Sequence, residues 1–167
     1  MVARSAPAGN TWVSSRALAR SDGEVPRVVR DTASVNYYDT FIEVADDCPV
    51  TVAELPHARG GRRTKPALEY EMIANHPYTY TEEDIAFEMH AILHDLPKPT
   101  WPEERRKFLS KGHPNLRVSA LAKRYGWGIH NDAKGKIALI AVESPEYRRL
   151  MSDPRTTKVK AFRSKPA

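Results

Sequence analysis

The sequence predicts a single α+β domain over residues 36–167, with a small, mainly antiparallel sheet and several short helices, behind a mobile N-terminal arm of residues 1–35. Three observations predict it. Helix-type and strand-type apolar periods are interspersed from Asn36 onward. The clearest strand pair is a hairpin, which favours α+β over a parallel α/β sheet. No sustained apolar period exists before Asn36, where Ala, Ser, Arg and Gly dominate.

From Asn36, Tyr38, Thr40, Ile42 and Val44 alternate with Tyr37, Asp39, Phe41 and Glu43, the period of a strand. Asp46-Asp47-Cys48-Pro49 ends it, because Pro lacks a ladder donor and Asp favours turns. Thr51–Leu55 reads as a short second strand. Thr64 with Pro66 marks a helix start, and Leu68, Met72 and Ile73 give that helix an apolar stripe before Asn75-His76-Pro77 stops it. Thr81 with Asp84 forms a short-armed capping box ahead of Ile85, Met89, Ile92 and Leu93. Residues 85–93 also alternate as a strand would; the cap and the acidic first turn favour helix.

Pro97, Pro99 and Pro102 make a rigid connector into a helix that buries Phe108 and Leu109 and ends at Gly112. Val118, Leu121, Ala122 and Tyr125 fall at helical spacing, closed by Gly126. Trp127–His130 and Ile137–Val142 flank good turn residues as the hairpin. Ser144-Pro145-Glu146 opens a helix through Met151, and Lys158–Phe162 reads as a last strand.

The chain has 167 residues, enough for a core that needs no cross-links. Cys48 is the single cysteine, which excludes an intramolecular disulfide framework and a Cys-rich zinc site. The longest apolar run, Ile137–Val142, is strand-sized, and no secretory signal stretch is present; the arm's Arg-rich start has a superficial likeness to a transit peptide. These features predict a cytoplasmic protein with no membrane association and no cofactor. Charge is divided sharply along the chain: residues 66–100 carry −6 and residues 101–167 carry +10. The basic third either neutralises the acidic middle across the fold or meets an anion, such as nucleic acid or a phosphorylated ligand.

Three phrases carry a resemblance. They are Asn36-Tyr37-Tyr38-Asp39-Thr40-Phe41-Ile42-Glu43-Val44-Ala45-Asp46-Asp47-Cys48-Pro49-Val50, Tyr70-Glu71-Met72-Ile73-Ala74 running into His76-Pro77-Tyr78 and Thr81, and Phe108-Leu109-Ser110-Lys111-Gly112 through Lys123-Arg124-Tyr125-Gly126-Trp127-Gly128-Ile129-His130. Over about residues 36–165 the chain resembles a bacterial family of small uncharacterised proteins, domain of unknown function 6157. The chain departs from that family's Gln and Cys at His113 and Asn115. The resemblance implies no activity.

The residues themselves offer three candidate sites. His90 and His94, four apart on one helix face, have a spacing that zinc sites use, but His76, Asp95 and His130 have no spacing that recommends a third ligand. Two solvent-facing histidines are the commoner outcome of such a pair, so no metal is expected. Cys48 beside Asp46 and Asp47 lacks the cationic neighbour a thiolate needs, and reads as a small buried residue. Tyr125-Gly126-Trp127-Gly128-Ile129-His130, with Lys111, Arg117, Lys123 and Arg124 upstream, has the cations and aromatic surface that suit a phosphate-bearing ligand. The competing account makes Gly126 a helix cap, Gly128 a bulge and Trp127 a core residue. The leading expectation is a non-enzymatic anion- or nucleic-acid-binding module using Lys111, Arg117, Lys123, Arg124 and Trp127. The alternatives are a small-molecule enzyme with a pocket around Trp127, His130 its general acid–base, and a protein-interaction domain using the acidic middle.

Overall fold

The computed structural model describes residues 36–166; the expected arm of residues 1–35 lies outside the described residues. Four strands, β1 (Thr40–Glu43), β2 (Trp127–Asn131), β3 (Ile137–Ala141) and β4 (Thr157–Lys160), form one sheet in the order β3-β2-β1-β4. β2 and β3 make the expected antiparallel hairpin, and β1 runs antiparallel to β2 with Phe41 opposite His130. β4 pairs with β1 in parallel, Ile42 opposite Val159. The sheet is therefore mixed, which corrects the expectation of a mainly antiparallel one. A hairpin announces itself by its turn, whereas the β1–β4 pairing joins distant segments and leaves no local signal.

The helices are α1 (Lys65–Asn75), α2 (Glu82–Leu93), α3 (Trp101–Ser110), α4 (Ala120–Arg124) and α5 (Pro145–Ser152), and α1, α2 and α5 begin where their caps predict. Thr64 Oγ1 accepts from Ala67 N, and Ser144 Oγ accepts from Tyr147 N. At α2 the capping box closes in both directions, with Asp84 Oδ2 accepting from Thr81 N at 2.8 Å and Thr81 Oγ1 accepting from Asp84 N at 3.2 Å. Residues 85–93 are thus helical, not a strand.

Thr51–Leu55 forms no strand. Its polar backbone is satisfied elsewhere: Ala53 N donates to Glu143 Oε2, Glu54 N to the Tyr125 carbonyl, and Glu54 O accepts from the Trp127 indole. The stripe expected on α2 also needs correction. Ile92 and Leu93 are exposed, while Ile85, Phe87, Met89 and Ala91 are buried. The reason is that α2 is packed on two sides: Ile85 and Met89 face the main core, and Phe87 meets Trp101 and Phe108 of α3 edge-on.

Alternation along the strands separates two cores. Ile42, Ile129 and Ile137 point to the face covered by α1, α2 and α4, where Leu68, Ile73, Ile85, Met89 and Leu121 complete the main core. Phe41 and Ile140 point the other way and pack with Tyr147 and Leu150 of α5. Both Phe41 and Ile42 have no exposed surface, so the central strand is sealed on both faces.

Candidate functional site

The first turn of α1, one face of α2 and the segment running from the end of α3 into α4 enclose a cleft of about 510 Å³. Lys65 and Glu69, four apart on α1, lie on one wall. Ala86, Met89, His90, Leu93 and His94 recur at helical spacing on α2 and line another. Phe108 closes one side, and His113, Asn115, Val118 and Ser119 line the segment after α3. This volume lies within the usual range of small-molecule sites.

The floor is acidic and buried. Glu69 is only 4 % exposed, and its Oε1 has no hydrogen-bond partner among the described residues. Burial pushes its carboxyl up to about 7, against smaller opposing pulls from the Ser119 hydroxyl and the Lys65 charge. Behind it, and not itself lining the cleft, Glu82 at the start of α2 is 1 % exposed. Its Oε2 accepts from Leu116 N at 3.1 Å and its Oε1 from Asn131 Nδ2 at 2.9 Å. Burial raises Glu82 to about 7 despite those two donors, and the charge of Glu69 adds to the rise. Two neighbouring carboxyls that titrate near neutrality can exchange a proton with a bound molecule, and perturbation of this kind concentrates at functional sites.

The side wall is a run of flat rings. The His90 and His94 imidazoles lie 4.4 Å apart between centroids, and Phe108 stacks with both His90, at 4.8 Å, and His113, at 5.4 Å. Burial, and after it the neighbouring His94, holds the His90 imidazole below its ordinary value. Among the described residues no group of three or more His, Cys, Asp or Glu side chains is placed to hold a metal ion. His113, the further imidazole of this wall, lies against Phe108 with its face.

The glycine-flanked tryptophan resolves differently. Gly126 has φ +75° just past α4, a conformation that favours glycine. A Cβ on Gly128 would stand 2.6 Å from Phe41 Cζ and 2.8 Å from Tyr147 Cε2, so the strand needs glycine for close approach. Trp127 packs against the main core, with its ring 5.2 Å from Tyr70 and its indole nitrogen donating to Glu54 O. His130 points to the opposite face of β2, edge-on to Phe41, its Nδ1 2.9 Å from the Tyr78 hydroxyl. The period of two therefore prevents one pocket from containing both Trp127 and His130. His130 instead lines a second cleft of about 260 Å³ with Asp39, Asp132, Arg149, Asp153 and Arg155, and burial holds its imidazole below the ordinary value.

The candidate basic residues fall on separate elements. Lys111 ends α3; Arg117 donates from Nε to Lys160 O and stacks over Phe162; Lys123 and Arg124 end α4. None of them, nor Trp127, lines either cleft. Other bases of the C-terminal third reach back to earlier acids: Arg105 and Lys136 to Asp84, and Lys160 to Asp46. Cys48 is a free, half-buried thiol whose Sγ contacts Val50 O.

Glu69 and Glu82 escaped the sequence reading because both sit in the acidic segment and count as surface charge. A signal was available. Glu69 is four residues before Ile73, and Glu82 three before Ile85, so each interrupts an apolar stripe with a carboxyl.

No curated protein and no solved structure matches this chain. The model of a family described as a family of unknown function, DUF6157, matches residues 32–167.

Proposed function

The chain belongs to the DUF6157 family of unknown function, and from that premise we propose that its α1–α2 cleft is a binding site for a small organic molecule with a flat apolar body. The observation that carries this reading is Glu69, a buried carboxyl with one unpartnered oxygen, on a residue that lines a cleft of about 510 Å³. Leaving a buried acceptor unsatisfied costs about 1–3 kcal/mol, and a ligand that supplies the donor recovers that cost. The stacked wall of His90, Phe108 and His113 offers ring faces to the body of such a ligand. A nucleic-acid strip has less support, because Lys111, Arg117, Lys123 and Arg124 fall on separate elements, and other bases of the same third, Arg105, Lys136 and Lys160, pair with acids of the chain.

The test uses the full chain with ¹³C-labelled methionine methyl groups. Met89 lines the cleft, whereas Met151 lies exposed on α5. Toluene, benzamide and benzamidine are added separately as probes. The reading expects at least one to move the Met89 signal saturably while Met151 stays fixed, and Ala86→Trp, which fills the cleft, to abolish the response. If no probe moves Met89, or both signals move together, the cleft is not a ligand site.

A further inference from the structure

We infer that the ligand of this cleft is a cation, an amidine, guanidine or amine on the flat body, whose N–H groups pair with Glu69 Oε1 and displace a proton from the Glu69–Glu82 carboxyl pair. This rests on the cleft being a ligand site, and it names the class of ligand. The argument begins with the four oxygens of the pair. Both Glu82 oxygens have donors in Leu116 and Asn131. Glu69 has the Ser119 hydroxyl as its side-chain partner, and its Oε1 faces none. The one unpartnered position of the pair is thus on Glu69, a residue that lines the cleft; the oxygen itself is closed from solvent, so the ligand pairs with it as the carboxyl turns toward the cleft.

Charge decides what fills it. An anion would meet the Glu69 carboxyl with Glu82 behind it, and although the Lys65 charge acts on Glu69, no ion pair among the described residues reaches either carboxyl. A neutral donor satisfies Oε1 but cannot compensate the charge of an ionised buried carboxyl, so Glu69 keeps its proton against it and the stronger charge-assisted bond is not made. A protonated nitrogen does both. It exchanges one positive charge for another, the carboxylic proton leaving to solvent as the cation enters, so the buried charge of the site is unchanged. The ring wall adds little opposing charge, because Phe108 is apolar and burial holds the His90 imidazole below its ordinary value.

The groups facing Glu69 come from each element around it. α1 contributes Lys65, α2 contributes Glu82 and His90, and the segment after α3 contributes His113 and Ser119. The packed strand β3 has no titratable side chain, and Lys123 and Arg124 of α4 do not line the cleft.

Isothermal titration calorimetry tests the inference, with benzamidine as the charged probe and benzamide as its neutral twin, in two buffers of different ionisation enthalpy. Benzamidine is expected to bind at least tenfold more tightly than benzamide. With Glu69 titrating at about 7, binding should release about 0.9 proton at pH 6 and about 0.03 at pH 8.5, and benzamidine affinity should rise about tenfold between them. Glu69→Gln should remove the preference for charge and the Glu69 share of the release, leaving any contribution from His90, His94 and His113. Equal binding of the two probes, or benzamidine binding at pH 6 without proton release, overturns the inference while the cleft stands, because Met89 still responds. If benzamidine, benzamide and toluene all leave Met89 unmoved, the cleft reading falls with it. The comparison of probes and of pH uses the unmodified chain, so the outcome does not depend on the variant folding.

Discussion

Replacing Glu69 by Gln should make the protein more stable at alkaline pH and leave it nearly unchanged in acid. In the unfolded chain the carboxyl titrates near 4.5; in the folded chain burial raises it to about 7. A raised acid binds its proton more tightly in the fold, so the contribution to stability is greatest below 4.5. It falls as pH rises through the interval and is fully lost above 7. A rise from 4.5 to about 7, at 1.36 kcal/mol for each pH unit, makes that loss about 3 kcal/mol. Glutamine keeps the shape and carries no charge to desolvate. It also creates no new orphan, because Oε1 is already without a partner. Urea unfolding at pH 5 and pH 8.5 measures the effect. The variant should gain about 2–3 kcal/mol relative to the parent between the two conditions, with an unchanged m-value. Parallel pH curves for parent and variant would refute the reasoning, since Glu69 would then be solvated or paired in the folded protein.

Three further outcomes are expected. Gly128→Ala introduces a methyl group under 3 Å from two rigid core rings; overpacking of about 1–3 kcal/mol, less the 0.4–1 kcal/mol gained from a stiffer unfolded chain, predicts a net loss of about 1–2 kcal/mol. Thermal unfolding measures it, and pairing the change with Phe41→Leu should recover part of the loss. Thr81→Ala opens the capping box of α2 and should cost about 1 kcal/mol in urea unfolding, with α2 amides fraying first in hydrogen exchange. The His130 imidazole should titrate below 6.5 by NMR, because burial outweighs the nearby Asp132 and Glu146, and a value above 6.5 would show the second cleft to be wetter than its geometry.

How much of this was legible in the sequence depended on the distance over which each signal acts. The Thr64, Thr81 and Ser144 caps lie within three residues of the donors they satisfy, so the helix starts were readable. The β2–β3 hairpin carries its own turn. Thr51–Leu55 misled because its backbone partners, Glu143 and Tyr125, lie far along the chain. At the site, the His90–His94 spacing was visible, whereas the ring that organises it, Phe108, comes from another helix. Trp127 and His130 drew notice as one cluster, but they stand three apart, and an odd spacing in a strand serves opposite faces. Glu69 and Glu82 were hidden by their type, since a glutamate in an acidic stretch reads as solvated until its neighbours on the helix are considered.

The parallel pairing of β4 with β1 bears on how the chain is made. During synthesis β1, β2 and β3 can assemble from the ribosome with α1 to α4 already around them, but the flank of β1 that β4 covers must wait for residues 157–160 to emerge. Until then β1 presents an unpaired row of amides and carbonyls beside Phe41 and Ile42, the side chains most completely buried in the finished sheet. A chain cut short before Thr157 keeps that edge open permanently. Such a fragment should therefore pair with other copies of itself in preference to staying monomeric, and the few residues of β4 act in effect as a stopper against self-association.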